Sequence, residues 1–194
     1  YQMQIKDDGW RGYMVSKLAL NPEHPGSRFT IGSLETLKGD VKADLIDFFA
    51  EHYSADQMGL VVLANQSLDE LEALVTPLFN QIPNNNIGPS YPTTQAFTDL
   101  QLPAVLTSRS LKDTYQLAFN FPIPSTLDVY RNKPESYLSN LVGHEGEGSL
   151  HHFLNEKGWI ESLGSGSQDF DRNTSLMIVN IELTEAGRDH VAEI

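Results

Sequence analysis

An α+β fold, with helices and strands mixed in each half, is predicted by three features of the 194-residue sequence. Apolar residues recur at helical spacing in several windows. Two runs, Tyr115-Leu117-Phe119-Phe121 and Met177-Val179-Ile181-Leu183, alternate with polar or small residues at a period of two. An apolar content of 40%, with nine Phe, seven Tyr and two Trp, is enough to build a core.

Trp10, Met14 and Leu18 recur at four-residue spacing, so the chain reads as beginning inside a helix. Asn21 to Gly39 is a loop rich in Pro, Gly and Ser, stiffened by Pro22 and Pro25. A helix is expected from about Asp40 to His52, capped by Asp40, with Val41, Leu45, Phe48 and Phe49 inward. Gly59 to Ala64 is short and wholly apolar, which suits a strand covered on both faces. Ser67-Leu68-Asp69-Glu70 is a capping-box pattern; it opens a helix that buries Leu71, Leu74, Val75 and Leu78 and is kinked near its end by Pro77. From Asn80 to Thr94 prolines, glycine and three consecutive Asn replace the apolar period. A linker over 83–98 therefore divides the chain into 1–82 and 99–194.

Beyond the first alternating strand, Pro134 suits a first helical position, and the helix that follows places Tyr137, Leu138, Leu141 and Val142 on one face. A second helix follows at once. Ser149 caps it, Phe153 and Leu154 give it an apolar side, Lys157 suits its last turn, and Gly158 ends it in the left-handed conformation. Between the two lies Gly143-His144-Glu145-Gly146-Glu147-Gly148, a break that bares backbone amides beside a histidine and two carboxylates. Gly164-Ser165-Gly166-Ser167 reads as a flexible turn or a strand edge. Such an edge accepts a peptide as an added strand through main-chain hydrogen bonds. Thr184-Glu185-Ala186-Gly187 opens a last helix after the second alternating strand. From both ends the sequence is expected to be a piece of a longer protein.

Composition narrows the partners. A net charge of −13 and a pI near 4.7 argue against nucleic-acid backbones and anionic membranes, leaving basic or neutral peptides. No apolar run approaches the roughly 20 residues that span a bilayer. The absence of cysteine excludes disulfides and thiolate zinc sites and leaves the compartment open, periplasmic or cytoplasmic. None of the six histidines satisfies H-E-x-x-H or H-x-x-E-H. His144, Glu147 and His151 are the nearest approach to a ligand set, and a stand-alone metal site there is a third reading. No nucleophile elbow, phosphate loop or dinucleotide fingerprint is present.

Several motifs taken together resemble the insulinase (pitrilysin-type, inverzincin) family of zinc metallopeptidases. They are Asn21-Pro22-x-His24-Pro25 with Arg28-Phe29 and Gly32; His52-Tyr53-Ser54-Ala55 through Met58; Ser67-Leu68-Asp69-Glu70-Leu71; and Phe121-Pro122-Ile123-Pro124. The series continues in order through Gly143-His144-Glu145-Gly146-x-Gly148-Ser149-Leu150, Lys157-Gly158-Trp159 and Leu183-Thr184-x-x-Gly187. The resemblance implies insulinase-type α/β layers: the end of a first, catalytic repeat domain over 1–82 and the start of the second over 99–194. It also implies that the H-x-x-E-H motif and the third zinc ligand lie before Tyr1. No catalytic residue and no metal ligand is then expected in this sequence; zinc belongs to the longer protein.

The resemblance further implies an exosite for the N-terminal end of a peptide substrate, at His144, Glu145, Gly146 and Gly148 and at Leu163, Gly164 and Gly166. Glycine lets a peptide backbone come close there, and Glu145 or Glu147 pairs with an α-amino group. The activity implied is zinc-dependent endopeptidase action on peptides; the alternative is a non-catalytic partner subunit of the same superfamily. Apolar surface left uncovered in each half is expected to drive self-association.

Overall fold

Among the described residues, every α-helix but the one opened by Pro134 starts at a side-chain cap. The structure, a computed structural model, describes residues 3–99 and 102–194. Tyr1, Gln2, Leu100 and Gln101 lie outside them, and with them the helical start read at Tyr1. The helix that carries Trp10, α1 (Asp8–Ser16), starts at Asp8, where the Asp7 side chain accepts from Trp10 N–H. The contacts divide the chain into two units, Gly32–Tyr91 and the remainder, Tyr1–Ile31 with Pro92–Ile194.

In the Gly32–Tyr91 unit, Asp40 caps α2 (Val41–His52) by accepting from Lys42 N–H at 3.2 Å. Ser67 and Glu70 close a reciprocal capping box at the start of α3 (Leu68–Phe79), and Pro77 lies within that helix. The strand expected over 59–64 does not form. Strand backbone needs a neighbouring ladder, and among the described residues of this unit there is no strand to provide one. Val61 and Leu63 are accordingly 93% and 98% exposed. The faces expected to be inward are largely uncovered: Leu45, Phe48 and Phe49 on α2 and Leu74 and Leu78 on α3 are exposed, while Val41, Leu71 and Val75 are half-buried. No described layer of this unit lies over them.

The stretch after α3 is tied down by polar contacts. Ser54 is fully buried; its hydroxyl donates to Asp56 and accepts from Asn85 N–H at 2.8 Å, while Ala55 N–H reaches Pro83 O. Gly88 N–H donates to Asp56 Oδ2 at 2.9 Å. These donors, Ser54 first, then Gly88 and Gln57, hold the Asp56 carboxyl at about 2, below its ordinary 3.8. A depressed carboxyl contributes stability above its ordinary pKa, and that contribution is lost as pH falls from about 4 towards 2. The Gly88 amide resonance is therefore expected to titrate with a midpoint near 2, and Asp56→Asn should abolish the step. A Gly88 shift that stays flat through that range would refute the contact.

The other unit is built on an antiparallel sheet of three strands, β1 (Tyr115–Pro124), β2 (Ile160–Asp169) and β3 (Thr174–Leu183), in the order β1-β3-β2. Both alternating runs seen in the sequence are strands, and β3 is the central one. Gly164-Ser165-Gly166-Ser167 lies in β2, which is an edge. Register pairs Ser165 with Val179 and Leu163 with Ile181. One face carries the core of Ile160, Leu163, Val179, Ile181 and Leu183, closed by Leu154 from α5 (Leu150–Glu156). A last short helix, α6 (Glu185–Asp189), is capped by Thr184 Oγ1, which accepts from Gly187 N–H at 2.9 Å.

α4 (Pro134–Val142) is rotated relative to the expectation from its apolar residues. Tyr137, Leu138 and Leu141 face outward, Tyr137 at 72% exposure, whereas Glu135 and Ser139 are buried and Val142 alone of the expected face packs on the core. The reason lies one turn beyond Ser139. A Cβ on Gly143 would lie 3.2 Å from Ser165 N, so helix and strand are as close as a small residue allows. The larger apolar side chains do not fit that seam. In α5, similarly, Leu154 is buried and Phe153 is exposed. Among the described residues no helix is long and apolar enough to cross a membrane.

Candidate functional site

The end of α4, the turn to α5 and the edge strand β2 meet at Gly143. Its N–H closes the helix on Ser139 O at 2.8 Å, and the place a Cβ would take is 3.1 Å from that same carbonyl oxygen. The turn is then shaped from within. His144 Nδ1 accepts from Gly146 N–H at 3.0 Å, and a Cβ on Gly146 would fall 2.4 Å from His144 Cε1, so the imidazole lies directly over that glycine. Ser149 N–H donates to Gly146 O at 3.1 Å. Gly148 has φ +82°, a left-handed conformation that disfavours other side chains. Ser149 Oγ accepts from His152 N–H and starts α5. His144, Glu145 and Glu147 are exposed.

Alternation along β2 sorts the expected site residues. Leu163 is 5% exposed in the core, so its side chain is not available at the surface. Ser165 shares that face. Gly164 and Gly166 point to the opposite face, and a Cβ on either would have no heavy atom within 4 Å. An edge strand directs half of its amides and carbonyls away from its partner, and here two open glycines flank that backbone. The site residues thus fall into a glycine turn and a glycine edge joined at Gly143 and Ser165. The Gly143 contact itself was not foreseen, because it joins residues 22 positions apart and leaves no local pattern.

A second feature was also missed. An aromatic-walled cavity of about 420 Å³ is lined by Asp7, Gly9, Trp10, Tyr13 and Thr30. Trp10 and Tyr13 meet edge to face at 5.8 Å, and Lys17 Nζ lies 4.7 Å from the Tyr13 ring centre. The Lys17 and Thr30 hydrogen bonds, Lys17 first, hold the Tyr13 phenol below its ordinary pKa. The available signal was an aromatic pair at i, i+3 on a helix beside Gly9.

Zinc, which the resemblance implies for the longer protein, finds no fit among the described residues. No three His, Asp or Glu side chains converge as a ligand set, so the third reading at His144, Glu147 and His151 is not supported. His144 directs Nδ1 into its own turn, and His152 faces Glu156 at 3.6 Å.

A family described as the peptidase M16 inactive domain matches residues 40–194. The peroxisomal insulin-degrading enzyme-like 1 of Arabidopsis thaliana is 36% identical over 201 residues, covering 100% of this chain and 21% of that protein. Insulin-degrading enzyme of Homo sapiens is 35% identical over 202 residues, covering 100% and 20% respectively. Nardilysin of Rattus norvegicus is 34% identical over 207 residues, covering 100% and 18%. The crystal structure of pitrilysin superposes with a TM-score of 0.84 at 27% identity, over 97% of this chain and 21% of that one. The chain spans about a fifth of the length of these relatives. Its mixed helices and small antiparallel sheet have the insulinase fold, and the chain belongs to the M16, or insulinase, family of peptidases.

Proposed function

We propose that this chain is a stretch of a zinc-dependent endopeptidase and contributes scaffold and a peptide-anchoring exosite rather than cutting groups. The observation that carries the reading is the meeting of the glycine turn with the glycine edge at Gly143 and Ser165. A substrate's N-terminal segment adds to β2 as a strand, its backbone drawn close at Gly164 and Gly166. Its α-amino group meets the carboxylates of Glu145 and Glu147, which are exposed on the turn. His144 shapes the turn, and Leu163 supplies main chain from a fixed core position. The family description as an inactive domain supports placing the metal chemistry outside this stretch. In the same reading, 1–82 and 99–194 are successive repeats joined over 83–98. The aromatic cavity at Trp10 and Tyr13 takes an apolar side chain of the peptide. The uncovered apolar faces of α2, α3 and α4 drive self-association of the isolated chain.

The test is the pair Glu145→Gln and Glu147→Gln in the full-length protein. Loss of an exposed ion pair with the substrate is expected to raise KM roughly two- to fivefold while kcat at saturation stays unchanged. Equal KM values for variant and parent would remove the anchoring role. Absence of any zinc-dependent peptide hydrolysis by the full-length protein would favour the non-catalytic partner subunit instead.

A further inference from the structure

The hairpin turn between β2 and β3 is fastened to the loop after α1 by a buried histidine that the anchoring reading does not use. His24 is 3% exposed. Its Nδ1 accepts from Gly26 N–H at 3.0 Å, so in the neutral ring the proton sits on Nε2. That nitrogen lies 3.3 Å from Asp171 Oδ2, off the ring's N–H axis, and this is the carboxylate oxygen beside it. Asp171 is oriented in its turn, because Oδ1 accepts from Asn173 N–H and Thr174 N–H, both at 2.7 Å. One oxygen shapes the hairpin and the other faces the imidazole. Phe170 covers the ring at 5.8 Å and itself meets Phe97 at 5.5 Å. Space here is closed, since a Cβ on Gly26 would lie 2.9 Å from His24 Nδ1 and 3.2 Å from Phe170 Cζ.

The contacts run on to the aromatic cavity. Gly26 O accepts from Lys17 Nζ at 2.5 Å, and the same ammonium lies over Tyr13, a cavity wall. Asp171, His24, Gly26, Lys17 and Tyr13 thus form one unbroken line from the end of the anchoring strand to the cavity.

We propose that His24 and Asp171 are positioning residues. The imidazole and the carboxylate form a strut that fixes the spacing between the β2 edge and the Trp10–Tyr13 cavity, so that one peptide engages both. This rests on the anchoring reading above. A long peptide gains from two contacts only while their separation is held, and a short one that reaches a single site gains nothing.

The test uses the full-length protein with two peptides, one long enough to span both places and one too short. His24→Ala and Asp171→Ala should each raise KM for the long peptide roughly five- to tenfold, the range expected for losing a close buried polar contact. KM for the short peptide and both kcat values should stay within about twofold on the same argument. Asp171→Asn keeps the side-chain shape and an oxygen beside the imidazole and should restore most of the loss. Equal effects on both peptides, or none on either, would overturn the strut. Absence of a long-peptide advantage in the unsubstituted protein would overturn the anchoring reading and the strut's role with it. Independently, nitrogen-15 spectra of the histidine-labelled chain should show His24 protonated at Nε2, with that resonance displaced in Asp171→Ala; a proton on Nδ1 alone, or an Nε2 resonance that does not move, would also overturn the proposal.

Discussion

Replacing Gly187 by alanine should unseat the C-terminal helix and lower stability by about 3 kcal/mol or more, the upper range for forcing atoms into closed space with loss of a backbone hydrogen bond. The cause is a clash with main chain. A Cβ at this position would lie 1.8 Å from Trp159 O and 2.7 Å from Trp159 C, and neither atom can rotate aside. That carbonyl also accepts from Thr184 N–H at 3.0 Å, while Thr184 Oγ1 donates to Gly158 O at 2.7 Å. The Trp159 ring stacks on His190 at 4.5 Å. Moving α6 outward to admit a methyl group therefore strains all three contacts. For a chain of this size the loss corresponds to a fall in Tm of roughly 6–12 °C. Thermal unfolding followed by circular dichroism reads it directly. A Tm within a degree of the parent would mean that Gly187 does not sit against Trp159 as described.

The positions legible in the sequence are those whose physics is local. Asp40, Ser67, Ser149 and Thr184 each accept from an amide within three residues, so each helix start could be read from a few neighbouring side chains. Gly158, at φ +71°, was legible for the same reason. What failed was burial. Of the apolar residues expected inward on α4, Val142 packs on the core but Tyr137, Leu138 and Leu141 do not, because the approach of Gly143 to Ser165 selects the small side of that helix. The run over 59–64 has the composition of a strand, yet a strand is a pairing and not a property of six residues. In the site, the glycine turn and the glycine edge were visible separately. Their junction was not, and neither was the line from Asp171 to Tyr13, since each depends on contacts between distant parts of the chain.

A contrast within one helix turn tests whether the core beneath the turn is placed correctly. Leu154→Ala should cost about 2–5 kcal/mol, as deletion of a closed-in leucine does when its surroundings cannot collapse. Leu154 is 2% exposed and closes the cluster of Ile160, Leu163, Val179, Ile181 and Leu183. Its carbonyl also receives Trp159 N–H at 3.1 Å, which sets the path from α5 into β2. Phe153 is larger but 54% exposed, with Lys157 Nζ 5.6 Å from its ring centre, so Phe153→Ala should change stability by no more than about 0.5 kcal/mol. Hydrophobicity alone orders the two the other way. The Leu154 variant should also lose amide protection at Gly146 and Ser149, because Leu154 seats the start of α5, into which the turn runs, on the core. Denaturant titration and hydrogen exchange on the two variants decide it: similar losses, or the larger one at Phe153, would mean that α5 presents its other side to the sheet and that the glycine turn is not seated where it could hold a peptide against β2.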